Sequence, residues 1–403
     1  MLMRRRCRSL AAGNGVAARR HRPVGRYTCI FLVAVAACGS PTIPITPPAP
    51  APAPETIEHT VFLVGDAGAA APGADPVLEA LAAELSSRPS ASTVVYLGDN
   101  IYPRGMPDSA SPLRREAERR IAAQADVVAD AGARGIFVPG NHDWAAGGRD
   151  GWDAVLRQER FIADRAMPNL VMLPGGGCPG PAVIDIGERL RLVILDTQWW
   201  LQSEPKPMHP TSSCATDSPA EVTDSLRGAL RSAGDRYVGV IAHHPLLSGG
   251  LHGGHFGLLD HIFPLRVLKS WLWIPLPALG SAYPLARASG ISSQDLSGRL
   301  NREMRDSLTV ALAVRPPLFF ASGHEHNLQV LDGLSARHLL ISGVGYFGHT
   351  SRVVYLEQSR YAAAKSGYMR VELVRDGRVR LAVLVVDAEA QVSESFSMWL
   401  AAR

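Results

Sequence analysis

The chain has 403 residues, of which 46% are hydrophobic and 19% are charged, and its formal net charge is +4. A chain of this length and composition can bury a sizeable core, so we expect a globular protein that folds without a partner. Residues 1–37 contain eight arginines and no acidic residue, so without them the formal charge changes from +4 to −4. The basic balance therefore does not indicate nucleic-acid recognition.

The N-terminus has the pattern of a targeting leader. An arginine-rich stretch precedes the apolar run CIFLVAVAAC at 29–38, which is too short to span a bilayer as a stable helix. The run ends in VAAC before Gly-Ser, which resembles a bacterial lipoprotein cleavage box. We therefore expect a lipoprotein-type signal peptide at 1–37, a lipidated Cys38, and export to the bacterial cell envelope, facing the periplasm or exterior. An ordinary secretory signal cut nearby is the alternative.

Composition also predicts the domain boundaries. The stretch PTIPITPPAPAPAP at 41–54 predicts a stiff, extended tether over 38–56 with no core of its own. A single domain is expected at 57–390, with an insertion at about 256–300. Residues 391–403 are expected to form a C-terminal tail.

Apolar strands and helices alternate along the domain. Strands are predicted at 59–65, 92–98 and 135–140, with helices at 75–87 and 113–133 between them. These βαβ units indicate an α/β fold with a largely parallel sheet. Further strands are predicted at 181–186, 191–196, 237–242 and 319–323, and 337–386 has the pattern of antiparallel hairpins, with Asp376-Gly377 as one turn.

Side chains that can bind metal follow five of the predicted strands. They are Asp66, Asp99, Asn141, His243 and the pair His324 and His326. In sheets of this kind the carboxyl ends of the strands open into one crevice. We therefore expect these side chains to meet at one edge.

The motifs at these positions occur in a recognisable order: GDAG at 65–68, GDNIY at 98–102, GNHD at 140–143, VIAH at 240–243 and GHEH at 323–326. This set resembles the calcineurin-like metallophosphoesterases, and within them the purple acid phosphatases of the tartrate-resistant type. The resemblance covers about residues 59–350 apart from the insertion. It implies a four-layer sandwich of two mixed β-sheets flanked by helices. It also implies hydrolysis of small phosphomonoesters by a metal-bound hydroxide at a binuclear metal centre.

The resemblance implies a role for each ligand position. Asp66, Tyr102 and His326 would bind a ferric ion, Asn141, His243 and His324 would bind a divalent ion (Fe, Zn or Mn), and Asp99 would bridge the two. Carboxylate and phenolate oxygens suit Fe(III), whereas imidazoles and an amide oxygen suit the divalent ions. Gly68 stands where the wider superfamily has a histidine ligand, and Tyr102 would reach the same metal from the next strand.

Three further residues receive catalytic roles from the resemblance. His142 would contact the phosphate and protonate the leaving group, and Asp143 would orient the His142 ring. His252 follows His243 by nine residues, the spacing of a second substrate histidine. His244 and His255 are either site residues or loop histidines near its mouth. The remaining candidates, His209, His261, His338 and His349, match no motif and are interpreted as surface or packing residues.

Two features stay open at the level of sequence. Cys178 and Cys214 are the only cysteines after Cys38, and export permits a disulfide between them, with two free thiols as the alternative. The insertion contains Trp271, Trp273 and four prolines, which is too broken for a spanning helix. It is a lid over the crevice, a membrane-surface contact or a packed excursion.

The motifs leave the substrate undecided. A phosphodiesterase or nucleotide pyrophosphatase would use the same metal centre, since the motifs specify the chemistry but not the leaving group. A non-catalytic binding lipoprotein with the same fold is the alternative of another class.

Overall fold

A computed structural model describes residues 47–402 except 88–90, 204, 268–270 and 278. The signal peptide expected at 1–37 and the lipidation expected at Cys38 lie outside the described residues. Among the helices that are described, none has the length and apolar character needed to cross a bilayer.

The strands form two mixed sheets of seven. The first sheet contains, in spatial order, β14 (Val392–Ala401), β13 (Val379–Val386), β12 (Gly367–Val374), β1 (Ile57–Val64), β2 (Ser92–Tyr96), β3 (Arg134–Phe137) and β4 (Leu170–Met172). Strands β1 to β4 run parallel, and β12, β13 and β14 add antiparallel neighbours on the other side of β1. The parallel half matches the predicted βαβ units.

The second sheet has parallel strands at its centre and antiparallel strands at both sides. Its spatial order is β11 (Ser359–Ala363), β9 (Leu328–Asp332), β10 (His338–Ser342), β8 (Phe319–Ser322), β7 (Tyr237–Ile241), β6 (Leu190–Ile194) and β5 (Ala182–Ile186). Strands β10, β8, β7 and β6 are parallel to one another. The carboxyl ends of β7 and β8 carry His243 and His324.

The longer helices cover the outer faces of the sheets, and the structure describes eight α-helices in all. They are α1 (Pro76–Ser86), α2 (Arg114–Asp130), α3 (Gly151–Asp164), α4 (Gln198–Leu201), α5 (Pro219–Arg231), α6 (Leu258–Ile262), α7 (Ala282–Ala288) and α8 (Arg299–Leu312). α1 begins where sequence chemistry favours it: the Asp75 carboxylate accepts the N–H groups of Val77 and Leu78, and Pro76 occupies the first turn.

Strand β1 shows why these strands are continuous apolar runs. Val61 and Leu63 pack between the two sheets, whereas Phe62 and Val64 pack against the helices. Alternate side chains of a strand point to opposite faces, so a strand buried on both faces must be apolar at every position. This confirms the expected α/β sandwich of two mixed sheets flanked by helices.

The structure differs from the expected C-terminal tail. Residues 391–403 contain β14, which pairs with β13 along its length. Phe396, Met398 and Leu400 alternate along β14 and pack into the core between the sheets. The domain therefore continues to Ala401, because the apolar side chains of Phe396, Met398 and Leu400 alternate over the second half of this serine-rich stretch.

The structure also differs from the expected free tether. Ala49 is buried, and its carbonyl oxygen accepts hydrogen bonds from Arg380 Nε at 3.0 Å and Ser397 Oγ at 3.1 Å. Arg380 is itself fully buried and ion-paired with Glu372 at 2.9 Å. The last part of the tether thus packs on β13 and β14 and belongs to the domain.

A disulfide joins Cys178 and Cys214, whose Cα atoms lie 5.6 Å apart. It connects the loop before β5 to the loop before α5, so two long surface segments are held together beside the second sheet.

Candidate metal centre

The predicted site residues follow the carboxyl ends of five strands from both sheets. They are Asp66 after β1, Asp99 and Tyr102 after β2, Asn141 and His142 after β3, His243 after β7, and His324 and His326 after β8. Asp66, Asp99 and His324 have left-handed backbone conformations, with φ of 58°, 54° and 68°. Non-glycine residues in this region are uncommon and are concentrated at functional sites.

One group of donor atoms is formed by Asp66, Tyr102 and His326. Tyr102 Oη lies 3.0 Å from Asp66 Oδ1 and 3.1 Å from His326 Nε2, and those two atoms lie 3.5 Å apart. Donors that share one cation with bonds of about 2.1 Å are separated by about 3.0 to 3.4 Å. The three atoms therefore have the spacing of one face of a coordination shell.

A second group is formed by Asn141, His243 and His324. Asn141 Oδ1 lies 2.9 Å from His243 Nε2 and 3.0 Å from His324 Nδ1, and the two ring nitrogens lie 3.2 Å apart. All three side chains are buried. This group has the same compact spacing as the first.

The protons on the two imidazoles indicate that a cation belongs between them. His243 Nδ1 lies 2.8 Å from the carbonyl oxygen of Leu97, and His324 Nε2 lies 3.0 Å from that of Gln294. A carbonyl can only accept, so each of these nitrogens carries the ring proton. The other two nitrogens then face each other with lone pairs, an arrangement that a bound cation stabilises.

Asp99 lies between the two groups. Its Oδ1 accepts the backbone N–H of His142 at 2.8 Å and lies 3.5 Å from His243 Nε2. Asp66, Asp99 and His243 each offer a ligand atom, and these atoms all lie within 4.8 Å of one another. The carboxylate of Asp99 therefore lies between the two donor groups, at the position for which the sequence predicts a bridging ligand.

The electrostatics of the buried carboxylates also favour a bound cation. Burial raises the pKa of Asp66 to about 7; His243 lowers this pKa and Asp99 raises it. Burial would likewise raise the pKa of Asp99, but His243 and His142 hold that pKa below its usual value. Burial is the largest cause that raises the pKa of Tyr102, and the negative charges of Asp66 and Asp99 raise this pKa further. A cation would offset these costs of burying anionic oxygens.

The structure places His142 at the site but gives Asp143 a different role. His142 Nδ1 lies 2.6 Å from the carbonyl oxygen of Pro103, which accepts its proton, and Nε2 faces Asp99 Oδ2 at 4.0 Å. The expectation that Asp143 orients this ring is therefore wrong. The carboxylate of Asp143 is fully buried and instead accepts the N–H groups of Gly140, Asn100 and Ile101.

His252 reaches the centre with support from the insertion. Its ring centroid lies 4.0 Å from that of His324, and its Nδ1 lies 3.0 Å from Asp295 Oδ1. Arg287 from α7 pairs with Asp295 and places Nη2 3.1 Å from His252 Nδ1. Glu325, between the two histidines of GHEH, accepts the Gly253 N–H at 3.1 Å and so holds the same loop.

One histidine beside the donor groups was not predicted from the sequence, and another had been left open. His349, interpreted there as a surface or packing residue, has its ring centroid 3.9 Å from that of His326 and is stacked on Tyr346 at 4.9 Å. His244 is buried, with its ring 4.5 Å from that of His324 and its Nε2 2.9 Å from Gln294 Oε1. The glycine-rich sequence GVGYFGH at 343–349 was the available signal, since such loops approach a site closely.

A cavity of about 460 Å³ opens beside His324 and His326. Its other walls come from the loop with His252, from Tyr283 and Arg287 of the insertion, and from His349 to Arg352. A phosphoester could therefore reach the two donor groups from this side, between the insertion and the loop after β10.

Comparisons with known proteins agree with this architecture. The structure is similar to GAP50, described as the anchor in the inner membrane complex of Plasmodium (TM-score 0.51, 14% identity, covering 86% of this chain and 90% of that chain). It is similar to the purple acid phosphatase PPD1 from yellow lupin (Lupinus luteus) seeds (TM-score 0.52, 14% identity, 85% and 53%). It is also similar to PhoD (TM-score 0.51, 12% identity, 86% and 70%).

The chain therefore shares its fold with that purple acid phosphatase and with PhoD. At these identities the likeness concerns the fold alone, and the chain spans about half the length of the lupin phosphatase. No protein-family model and no curated protein sequence matches the chain.

Proposed function

We propose that this protein hydrolyses phosphomonoesters at a centre of two metal ions, in the manner of a purple acid phosphatase. The observation that carries the proposal is the pair of donor groups, each with spacings of 2.9–3.5 Å, joined by the carboxylate of Asp99. Two adjacent cations held in this way would activate water and neutralise charge on a phosphoryl group.

The two donor groups differ in chemistry, which supports two different metals. Asp66 and Tyr102 offer hard anionic oxygens, so with His326 they suit Fe(III). Asn141, His243 and His324 offer an amide oxygen and two imidazole nitrogens, which suit Fe(II), Zn or Mn.

His142 is placed to handle the leaving-group proton. Its Nδ1 proton is directed at the Pro103 carbonyl, and the ring is part-exposed beside Asp99, so Nε2 can take up a proton and deliver it to a departing oxygen. His252 is held by Asp295 and Arg287, and its ring lies beside that of His324. From this position it would contact the phosphoryl group.

We further propose that the chain is exported and lipid-anchored at Cys38 on the bacterial envelope. The leader and its VAAC-Gly-Ser sequence support this proposal. Detergent partitioning of the expressed protein, compared with a Cys38→Ser variant, tests it. A protein recovered wholly in the aqueous phase with an N-terminus other than residue 38 would contradict the anchor.

The test of the enzymatic proposal combines metal analysis with a substrate panel. Protein purified without chelator should contain about two metal ions per chain and should cleave phenyl phosphate faster than diphenyl phosphate or a nucleoside diphosphate. Asn141→Ala should lose the metal ion of the group formed by Asn141, His243 and His324, together with most of the activity. Asn169→Ala, which lies outside the site, should retain the metal ions and the activity. Preference for the diester or diphosphate would favour the phosphodiesterase or pyrophosphatase alternative.

A non-catalytic binding lipoprotein is the alternative of another class, and the likeness to a Plasmodium protein described as an anchor is the observation in its favour. Two bound metal ions with no turnover of any phosphoester in the panel would support that alternative. Full activity of metal-free protein would contradict both.

A further inference from the structure

The insertion at 256–300 exposes an unusual share of the apolar surface. Among the described residues, nine large apolar side chains are more than half exposed, and six of them lie in this one segment. We call these six the apolar rim: Leu258, Trp271, Trp273, Leu279, Leu285 and Ile291. Single exposed apolar side chains are ordinary, but a concentration of them marks a surface that contacts another molecule or a membrane.

The elements that carry most of the apolar rim form one small substructure. The backbone N–H of Leu276 donates to the carbonyl oxygen of Ile262 at the end of α6, at 2.8 Å. The ring of Phe263 lies 5.3 Å from that of Trp273, and His261 Nδ1 lies 3.1 Å from Ser281 Oγ before α7. The exposed side chains are therefore presented together rather than from unrelated parts of the chain.

The composition of this substructure indicates what it contacts. Residues 263–280, FPLRVLKSWLWIPLPALG, contain two tryptophans, Arg266 and Lys269, and no acidic residue. Tryptophan is favoured at the boundary between lipid headgroups and acyl chains, and basic residues near that boundary are attracted by anionic lipids. Together they match the surface of a bilayer that contains anionic lipids.

We propose that the apolar rim docks on the surface of an anionic phospholipid bilayer. Contact at the surface, rather than insertion across the bilayer, agrees with the short helices α6 and α7, since no described helix could span one. The lipid expected on Cys38 would hold the protein at such a surface.

The path of the tether is compatible with this orientation. Thr56 lies beside Arg375, at the end of the first sheet that is remote from the metal centre. Ala49 lies beside Ser397, nearer to the opposite end of that sheet. At that opposite end Gly367 pairs with Val344, in the loop after β10. Going towards the N-terminus, the chain therefore runs towards the edge that carries the metal centre. The eleven residues from Cys38 to Ala49 can extend about 34 Å.

Docking would place the cavity entrance at the membrane. The same insertion supplies Arg287 and Asp295, which hold His252, and Gln294, which contacts His324. The residues that dock and the residues that complete the site are thus parts of one segment.

The test uses the full chain and vesicles of phosphatidylcholine and phosphatidylglycerol whose acyl chains carry bromine, which quenches tryptophan fluorescence on contact. The wild-type protein should be quenched, and Trp271→Phe with Trp273→Phe should remove most of that quenching. Trp271→Ser with Trp273→Ser, in a Cys38→Ser background, should weaken vesicle partitioning about tenfold or more. The matched control is Leu113→Ser with Leu334→Ser, which removes two exposed apolar side chains elsewhere and should leave partitioning unchanged.

Two results would overturn the proposal. One is quenching that is the same in the wild type and the double phenylalanine variant. The other is a dimer in the absence of vesicles that Trp271→Ser with Trp273→Ser abolishes, which would mean that a second copy covers the apolar rim. Hydrolysis of phenyl phosphate without vesicles is measured in parallel, so failure of docking is distinguishable from failure of the proposed enzymatic function.

Discussion

The carbonyl oxygen of Gly68 accepts a hydrogen bond from the backbone N–H of Tyr102 at 3.0 Å. The loop between these residues lies directly on the glycine: a Cβ at Gly68 would come within 2.4 Å of the backbone of Asp99 and Asn100. Position 68 therefore has no room for a histidine ligand. The absence of that side chain and the presence of Tyr102 at the same donor group are two aspects of one loop conformation.

Gly68→Ala should displace this loop and weaken the Tyr102 group. Because the added methyl group would meet backbone rather than a flexible side chain, we expect the free energy of unfolding to fall by about 1–3 kcal/mol. Metal analysis should find less than two ions per chain. The control is Gly228→Ala in α5, where a Cβ meets nothing within 4 Å; unchanged metal content and stability in Gly68→Ala would contradict the packing argument.

His142→Ala should slow hydrolysis according to the leaving group. If His142 supplies the proton, alkyl phosphates with basic leaving groups should lose about 10²-fold or more in kcat, whereas activated aryl phosphates should lose much less. His261→Ala, a histidine of the insertion, is the control. Equal slowing of both substrate classes would assign His142 a binding role instead.

Asp143→Ala should act on stability rather than on leaving-group dependence. It removes an acceptor for the buried N–H groups of Gly140, Asn100 and Ile101, so the free energy of unfolding should fall by about 3 kcal/mol or more. Urea unfolding measures this, with the exposed Asp153→Ala in α3 as control. A stable variant whose leaving-group dependence matches that of His142→Ala would restore the predicted orienting role.

His142 and Asp143 show which features of this site can be predicted from the sequence and which cannot. The positions of Asp66, Asn141 and His324 could be predicted because each follows an apolar strand, and the carboxyl ends of such strands meet at one edge. Adjacency in sequence does not give side-chain direction, and the tight turn after β3 points Asp143 away from His142. The contacts of His349 and Gln294 depend on loops whose paths no periodicity specifies.

The same limit applies to the fold. The parallel strands were predictable because burial on both faces requires continuous apolar runs. Strand β14 was not predicted, since its first half, Val392 to Ser395, is exposed and largely polar, and apolar residues alternate only from Phe396 onwards. The packing of Ala49 on Arg380 and Ser397 was equally hidden, because it depends on a backbone carbonyl that composition cannot reveal.

His59 should make the stability of the protein depend on pH. Burial, and then the charge of Arg134, lowers the pKa of His59 from its ordinary 6.5 to about 4. The unfolded chain therefore binds this proton first, so stability is complete above about pH 6.5 and is lost as the pH falls towards 4, by up to about 3 kcal/mol. Urea unfolding between pH 7.5 and 4 should show a shallower decline in His59→Gln, but not in the exposed His209→Gln. Equal slopes in all three proteins would contradict the assignment.

The last prediction concerns the colour that Tyr102 would give to the protein. A phenolate bound to Fe(III) produces a charge-transfer band in the visible, so iron-loaded, oxidised protein should be violet to pink and should bleach on reduction. Tyr102→Phe removes the only oxygen that this ring can offer, whereas Asp66 and His326 remain, so we expect loss of the band with weaker iron binding and some residual hydrolysis. Tyr346→Phe is the matched control, because its ring lies 6.4 Å from that of Tyr102 and outside the donor group, so its band should persist. An iron-replete protein that is colourless when oxidised, with a spectrum unchanged by Tyr102→Phe, would mean that the tyrosine is only a hydrogen-bond partner of Asp66 and that the first donor group holds a divalent ion.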